Sequence, residues 1–173
     1  MARPFETTGA FRLGEVLDFM RLLWAMDHGL HSVSKRMRSA LGVTGPQRLA
    51  IRIIGRFPGV SAGQIASVLH MHPSTLTGIL KRLERGGVVR RRLDPADGRR
   101  ALFTLTARGK SLDELRAGTV EQAVRRVLQR TPRARLLAAQ EVLAAIAQEL
   151  DSQKRGPGTL TRPFAPVLRR ASP

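Results

Sequence analysis

The sequence predicts a mainly α-helical protein that carries one small β-hairpin. Apolar residues recur at steps of three and four along several segments, which is the spacing of amphipathic helices. Two of these segments are short and are separated by a tight turn, and a segment with strand-like alternation and strong turn residues follows them directly. A helix-turn-helix followed by such a hairpin is a winged helix-turn-helix. The longer helical segments on either side of it are expected to serve as dimerisation helices.

The first predicted helix is long and amphipathic. Its apolar stripe begins at Leu13 and continues at helical spacing as far as Gly42, a residue type that commonly ends helices. Thr44 then combines a capping hydroxyl with Pro46 in the first turn, which predicts a second helix running to about Arg56.

The two short helices of the helix-turn-helix come next. Ser61 is the predicted cap of the first, which continues through Leu69. The second begins near Pro73 or Ser74 and stops at the glycine pair 86–87. Apolar residues fall on one face of this second helix. That face is therefore expected to pack on the preceding helices, and the opposite face to point outward.

The hairpin and two further helices complete the predicted fold. Short strands are expected over residues 88–93 and 101–105, separated by a turn rich in aspartate, proline and glycine. Thr106 is the predicted cap of one continuous helix over residues 107–130, and Pro132 predicts the start of a last helix with apolar residues at helical spacing.

The charge of the chain is strongly positive and unevenly distributed. The formal net charge is +17, and residues 28–100 carry 14 Lys or Arg against three carboxylates. Clustered positive charge is expected in a protein that binds polyphosphate. Aromatic residues make up only 4% of the chain, which poorly supports stacking of single-stranded bases, so duplex DNA is the expected partner.

The outward face of the second short helix has the residue types expected for reading a major groove. Short hydroxyl side chains at its start allow a helix to lie deep in the groove, and the cations that follow suit phosphate or guanine. Gly78 lowers helix propensity by about 1 kcal/mol relative to alanine, which suggests close approach to another surface. The candidate DNA-binding residues of this helix are Ser74, Thr75, Thr77, Gly78, Lys81, Arg82 and Arg85.

The hairpin supplies a second set of candidate contacts. An arginine at the tip of a β-turn fits a narrow minor groove, and Arg99 is the best placed candidate. Asp97 is expected to hold the turn or to orient the Arg99 guanidinium rather than to touch DNA. Arg92 and Arg100 are further candidates for DNA binding, although arginines along a strand also discourage edge-to-edge aggregation.

The stretch from Thr44 to Lys110 resembles the MarR family (multiple antibiotic resistance regulators). The matching segments are the helix 61–69, the run HPSTLTGILKRLERGGVVRRR, the wing DPADGRR and the segment FTLTARGK. The resemblance implies a homodimer whose paired recognition helices and wings face a pseudo-palindromic operator. It also implies repression of transcription and release from DNA on binding a small ligand. On this resemblance the contacts fall on Ser74, Thr75, Thr77, Gly78, Lys81, Arg82 and Arg99, with Asp97 in support.

These expectations divide the chain into five segments. They are a flexible arm (1–10), a dimerisation helix (11–42), the DNA-binding lobe (43–105), dimerisation helices (106–152) and a basic tail expected to be disordered (153–173). No stretch has the length and apolarity of a membrane span or of a signal-peptide core. We therefore expect a cytoplasmic protein that is associated with the nucleoid when bound to DNA.

Trp24, His28 and His31 are candidates for a small-molecule site. In the family that the chain resembles, effectors often bind between the dimerisation helices and the DNA-reading lobe. Trp24 lies on the apolar stripe of the first helix, so a place in the core or in a dimer interface is the alternative. The chain has no cysteine and few carboxylates near its histidines, so neither a metal site nor a cofactor is expected. No catalytic motif is found, and an enzyme is not expected.

Two functions remain open from the sequence. The first is a sequence-specific transcriptional regulator, a repressor released by a ligand, that binds its operator as a homodimer. The second is a non-specific architectural or nucleoid DNA-binding protein, which the net charge and the basic C-terminal segment favour. A winged helix used only to dock another protein is a lesser alternative. Preference for a short inverted repeat over a scrambled duplex separates the first two functions.

Overall fold

A computed structural model describes the backbone of residues 13–155 and the side chains of residues 13–153. In chain order its elements are α1 (Glu15–Leu41), α2 (Gly45–Arg56), β1 (Val60–Ser61), α3 (Ala62–Leu69), α4 (Pro73–Arg85), β2 (Val89–Leu93), β3 (Ala101–Leu105), α5 (Ala107–Glu114), α6 (Val120–Leu128) and α7 (Arg133–Arg155). The described residues are mainly helical with one small sheet, as predicted.

The chain divides into two compact units within α6. The first unit ends at Val124 and the second begins at Arg125. The first contains α1 to α5, the sheet and the beginning of α6, and the second contains the end of α6 and all of α7. The predicted arm (1–10) and the part of the predicted tail beyond Arg155 lie outside the described residues.

The predicted ends of the early helices are confirmed by their caps. α1 ends at Leu41 and is followed by Gly42, which has a φ of 72° and adopts the left-handed conformation that glycine favours. At the start of α2 the Thr44 hydroxyl accepts from the Gln47 N–H, and the Gln47 side chain accepts from the Thr44 N–H. Ser61 and Gln64 form the same reciprocal pair at the start of α3. These capping boxes satisfy backbone donors that have no partner within the helix.

The sheet has three antiparallel strands in the order β1-β3-β2. β2 and β3 form the predicted hairpin, with Val89 opposite Leu105. The sequence does not predict β1, whose two residues pair with β3 so that Val60 lies opposite Phe103. Two residues are too few to show the alternation by which strands are recognised.

The core of the first unit lies where α2, α3 and α4 pack against the sheet. Its buried side chains include Ile51, Ile54, Ile65, Leu76, Leu83 and Phe103. Burial of one such side chain stabilises the fold by about 1.5–3 kcal/mol. Because α4 contributes only one apolar face to this core, the packing fixes the rotation of α4 about its axis and leaves its polar face toward solvent.

The prediction of one continuous helix over residues 107–130 is wrong. α5 ends at Glu114 and α6 begins at Val120. Between them Gly118 has a φ of 70°, which interrupts helical geometry. The Thr119 hydroxyl then accepts from the Gln122 N–H at 3.3 Å and so satisfies a free donor at the start of α6.

A buried arginine from α2 stabilises this interruption. The Arg48 side chain is 2% exposed, and its Nε donates to Glu121 Oε1 at 2.8 Å. Its remaining guanidinium nitrogens donate to the backbone carbonyls of Leu112, Asp113 and Leu115. Carbonyls at the end of a helix have no partner within it, so the guanidinium takes the place of a further helical turn. Arg52 adds a 2.7 Å ion pair with Asp113.

Much of the predicted apolar stripe of α1 is exposed in the single chain. Val16, Leu17 and Trp24 are 72%, 52% and 62% exposed, whereas Met37 in the C-terminal part of the helix is buried. Exposed apolar surface of this extent is typical of an interaction surface. None of the helices within residues 13–155 combines the length and the apolarity needed to cross a membrane.

Candidate nucleic-acid interface

The polar face of α4 is open to solvent. Leu76, Ile79, Leu80 and Leu83 are buried on the opposite face, in agreement with the predicted amphipathic pattern. Six of the seven candidate residues on α4 are exposed and Gly78 is half-buried; the six are Ser74, Thr75, Thr77, Lys81, Arg82 and Arg85. The structure therefore brings the candidates together on one accessible surface.

The N-terminus of α4 is capped by a histidine. The His72 Nδ1 accepts from the Ser74 N–H at 3.3 Å and lies 2.7 Å from the Ser74 Oγ. The Thr77 hydroxyl donates to the Pro73 carbonyl at 2.8 Å. Histidine is not among the residue types that favour helix caps, so the sequence does not predict this cap. The first turn of α4 is thus held by hydrogen bonds from its own outward side chains.

Gly78 has open space around it. A Cβ built on this residue meets only Arg82 Nη2, at 4.0 Å. No neighbour in the described part of the chain requires a glycine here, so packing within the protein does not account for its presence. A partner whose surface must come close to the α4 backbone would account for it.

The cations of α4 lie in its C-terminal half. Lys81, Arg82 and Arg85 are exposed, and Arg85 Nε donates to the Lys81 carbonyl at 3.4 Å. Glu84 is the one carboxylate of α4 and it is also exposed. The face therefore places small hydroxyl groups at the N-terminal end of α4 and positive charge toward its C-terminal end.

The wing turn presents Arg99 without an internal partner. Asp97 Oδ1 accepts from the Arg99 backbone N–H at 3.0 Å, and the Arg100 N–H donates to the Asp97 carbonyl at 2.8 Å. Asp97 thus holds the turn through the backbone and not through the Arg99 guanidinium. Within residues 13–153 the Arg99 side chain has no hydrogen bond or ion pair and is exposed, so its five donors are available.

Arg100 is partly used within the protein. Its Nη2 donates to Gln64 Oε1 at 3.0 Å, and its Nε lies 3.9 Å from Asp94 Oδ2. This side chain therefore connects the wing to α3. Arg92 on β2 is exposed, as are its neighbours Arg90 and Arg91. Of the wing candidates, Arg92 and Arg99 are the freer to contact a partner.

The base of the wing is packed closely against the start of α5. The Thr106 hydroxyl donates to the Gly87 carbonyl at 2.7 Å and accepts from the Gly109 N–H at 3.1 Å. A Cβ on Gly109 would collide with the Val88 carbonyl oxygen. Glycine at this position therefore allows α5 to approach the chain just before β2.

The structure does not enclose the three small-molecule candidates in the single chain. Trp24, His28 and His31 are all exposed on α1. His31 Nδ1 lies 3.2 Å from Asp27 Oδ1 and 2.9 Å from the Asp27 carbonyl oxygen, so it is engaged on its own helix. Trp24 is not part of the single chain's core, and its role in a ligand site stays a prediction. No group of three or more potential metal ligands occurs among the described residues.

Two of the arginines counted in the basic stretch do not contribute to this surface. Arg48 is buried against Glu121, and Arg52 is paired with Asp113. Fewer positive side chains are therefore available to a polyanion than the 14 Lys and Arg of residues 28–100, and most of those available lie on α4 and the wing.

Comparison with known proteins agrees with the motifs. A family model described as MarR family matches residues 41–100. The HTH-type transcriptional repressor Rv2887 of Mycobacterium tuberculosis is 35% identical over 92 residues, which are 53% of this chain and 66% of that protein. The match thus spans just under two thirds of the length of that relative.

Solved structures share the fold over a longer stretch. MepR of S. aureus, in complex with DNA, aligns with a TM-score of 0.64 and 19% identity over 76% of this chain and 97% of that chain. PcaV of Streptomyces coelicolor, in complex with its natural ligand, aligns with a TM-score of 0.63 and 20% identity over 82% of this chain and 98% of that chain. At these identities the likeness shows the fold. The family match, together with the helix-turn-helix and the wing, shows that residues 41–100 are similar to the MarR family of winged helix-turn-helix proteins.

Proposed function

We propose that the protein is a sequence-specific transcriptional regulator that binds double-stranded DNA as a homodimer. The observation that carries the proposal is the exposed face of α4, where short hydroxyl side chains and an unhindered glycine precede a group of cations. Such a helix fits the major groove, because small side chains allow close approach and cations further along reach phosphates.

The wing supports the same function with a second contact. Arg99 stands exposed in a turn whose backbone is held by Asp97. A guanidinium with all its donors available is suited to a narrow minor groove, where the negative potential is strongest. α4 and the wing would then contact adjacent grooves of one duplex.

The homodimer is supported by the apolar residues of α1. Val16, Leu17 and Trp24 are more than half exposed in the single chain, which leaves apolar surface in water. A second copy would cover it and would place two α4 helices against a pseudo-palindromic site. Light scattering at micromolar concentration should give the mass of a dimer, and a monomer would contradict this part of the proposal.

Repression, relieved by a small molecule, is the regulatory mode that we propose. The M. tuberculosis relative is described as a repressor, and PcaV was solved with its natural ligand. Trp24, His28 and His31 are our candidates for the ligand site. Because Trp24 is the only tryptophan of the chain, its fluorescence should change when an effector binds there. A ligand that releases DNA without changing this signal would place the site elsewhere.

Competition between two duplexes tests the central proposal. The purified protein first captures a fragment from genomic DNA. Its affinity for that fragment is then compared with its affinity for a scrambled version at about 0.15 M salt. We expect the captured fragment to be bound at least ~10³-fold more tightly. Protection of an inverted repeat with half-sites about 10 bp apart should accompany it. Equal affinity for both duplexes would instead favour the architectural alternative, in which counterion release supplies the binding energy.

A further inference from the structure

Two hydroxyl groups on the outward face of α4 already donate their protons within the protein. The Ser74 Oγ lies 2.7 Å from His72 Nδ1, and the Thr77 Oγ1 donates to the Pro73 carbonyl at 2.8 Å. A hydroxyl group has one proton and two lone pairs. Once its proton is committed to a neighbour, it can only accept a hydrogen bond from a further partner.

The direction of the bond between His72 and Ser74 follows from a third atom. The Ser74 backbone N–H points at the same His72 Nδ1, at 3.3 Å. A backbone N–H can only donate, so this Nδ1 carries a lone pair and no proton. The Ser74 hydroxyl must therefore be the donor in the 2.7 Å contact, and its lone pairs remain for a partner outside the protein.

The hydroxyl proton of Thr75, on the same helix, is not committed to a neighbour among the described residues. Within residues 13–153 its hydroxyl has no hydrogen-bond partner, so it is free to donate or to accept. Ser74 and Thr77 are exposed and three positions apart, which places them side by side near the N-terminal end of the face. The helix thus presents two acceptor-only hydroxyls and one hydroxyl of either polarity.

We propose that Ser74 and Thr77 are specificity-determining residues that recognise exocyclic amino groups, either adenine N6 or cytosine N4, in the major groove. This rests on the proposed function. In that groove guanine and thymine present acceptor atoms where adenine and cytosine present an amino donor. An acceptor-only hydroxyl therefore favours adenine or cytosine over guanine or thymine on the contacted strand. Phosphate oxygens are also acceptors, so these two hydroxyls are poorly suited to the DNA backbone.

His72 acts as a positioning residue in this scheme. By accepting from both Ser74 groups it keeps the hydroxyl proton turned away from the DNA. His72→Ala releases that proton, so the base preference opposite Ser74 should widen to include guanine or thymine. His72→Asn should keep the preference, because an asparagine oxygen can accept from the same groups and asparagine is a favourable helix cap.

The first measurement selects binding sites from a random duplex pool with the wild type, Ser74→Ala and Thr77→Val. Positions at which a variant loses base preference are those that its hydroxyl reads. At these positions the wild type is expected to prefer adenine or cytosine on one strand. Ser74→Ala and Thr77→Val remove a hydroxyl group from an exposed position, and thermal unfolding verifies that each variant is folded.

The second measurement uses the wild-type protein and altered DNA. Purine replaces adenine, or 2-pyrimidinone replaces cytosine, at the identified position, so that only the amino group is removed. Loss of one hydrogen bond predicts a Kd about 2- to 10-fold higher for the wild type. The same replacement should change the Kd of the variant lacking the hydroxyl by less than about 2-fold, because no acceptor remains to lose a partner.

The outcomes separate this inference from the proposed function. Guanine or thymine at the positions read by Ser74 and Thr77, with specific binding intact, overturns the inference alone. An unchanged preference in His72→Ala overturns the role of His72, since a cap that only stabilised the helix would weaken binding to every duplex alike. A wild type with no sequence preference overturns both the inference and the proposed function.

Discussion

Replacing Gly78 with alanine is expected to raise the stability of the protein and to weaken its binding to DNA. Gly78 lies in the middle of α4, where an added Cβ meets only the end of the Arg82 side chain at 4.0 Å. That distance is an ordinary van der Waals contact, so alanine introduces no strain. Alanine is better than glycine within a helix by about 1 kcal/mol. For a chain of this size the gain corresponds to a rise in Tm of about 2–4 °C.

Binding is expected to change in the opposite direction. The added methyl group would stand between Ser74 and Lys81 on the face that we propose enters the major groove. Overpacking a close contact by one methyl group costs about 1–3 kcal/mol. The expected Kd for the selected operator is therefore about 5- to 150-fold higher. Fluorescence anisotropy at fixed salt measures the Kd, and circular dichroism during heating measures the Tm.

Gly29→Ala is the matched control. Gly29 lies in the middle of α1, and a Cβ there meets nothing within 4 Å, so alanine introduces no strain at this position either. We expect a similar rise in Tm with no change in Kd, provided that light scattering shows the same oligomeric state. If Gly78→Ala bound the operator as tightly as the wild type, close approach of DNA to this part of α4 would be refuted. A fall in its Tm would refute the reading of Gly78 as an unhindered position.

Three further substitutions test other parts of the structure. Arg48→Ala removes the 2.8 Å ion pair of Glu121, which keeps only its 3.8 Å contact with Arg52, and should lower the free energy of unfolding by about 3 kcal/mol. Replacing the exposed Arg56 with alanine should change that free energy by less than about 0.5 kcal/mol, and equal effects of the two substitutions in urea denaturation would contradict the role of Arg48. Gly109→Ala forces a Cβ against the carbonyl before β2 and should destabilise the fold by about 1–3 kcal/mol, so a Tm at or above that of the wild type would argue against the close contact. Arg99→Ala should weaken operator binding by about 1–3 kcal/mol without a change in Tm, and an unchanged Kd in the anisotropy assay would remove the wing from the interface.

The helix-turn-helix and the wing could be predicted from the sequence because their signals are local. Ser61 and Thr44 cap helices through hydrogen bonds to residues three positions along the chain. The turn of the hairpin is predicted by the aspartate, proline and glycine within it. The face of α4 follows from the spacing of its leucines and isoleucine, which are buried as expected. The candidate residues of α4 accordingly share the face opposite this buried one.

Features that depend on distant residues were not predictable in the same way. The break between α5 and α6 is stabilised in part by Arg48 of α2, which donates to the carbonyls of Leu112 and Leu115. In the sequence Arg48 cannot be distinguished from the other basic residues around it. A local signal was available as well, since Thr119 followed by Gln122 has the spacing of a capping box. β1 exists only because β3 lies beside it. The cap by His72 is visible only once the geometry of the turn is known.

The side-chain oxygen of Gln64 accepts from the Ser61 N–H, the Ser61 hydroxyl and the Arg100 guanidinium, each at 3.0 Å. One atom thus joins the first turn of α3 to the hairpin, so a movement of the hairpin away from α3 must break the bond between Arg100 and Gln64. The Gln64 carboxamide and Ser61 amide resonances of nitrogen-15-labelled protein should therefore move together in NMR spectra when a duplex displaces Arg100. The resonances of Gln64 and Ser61 therefore report the position of the hairpin relative to α3 without any added label.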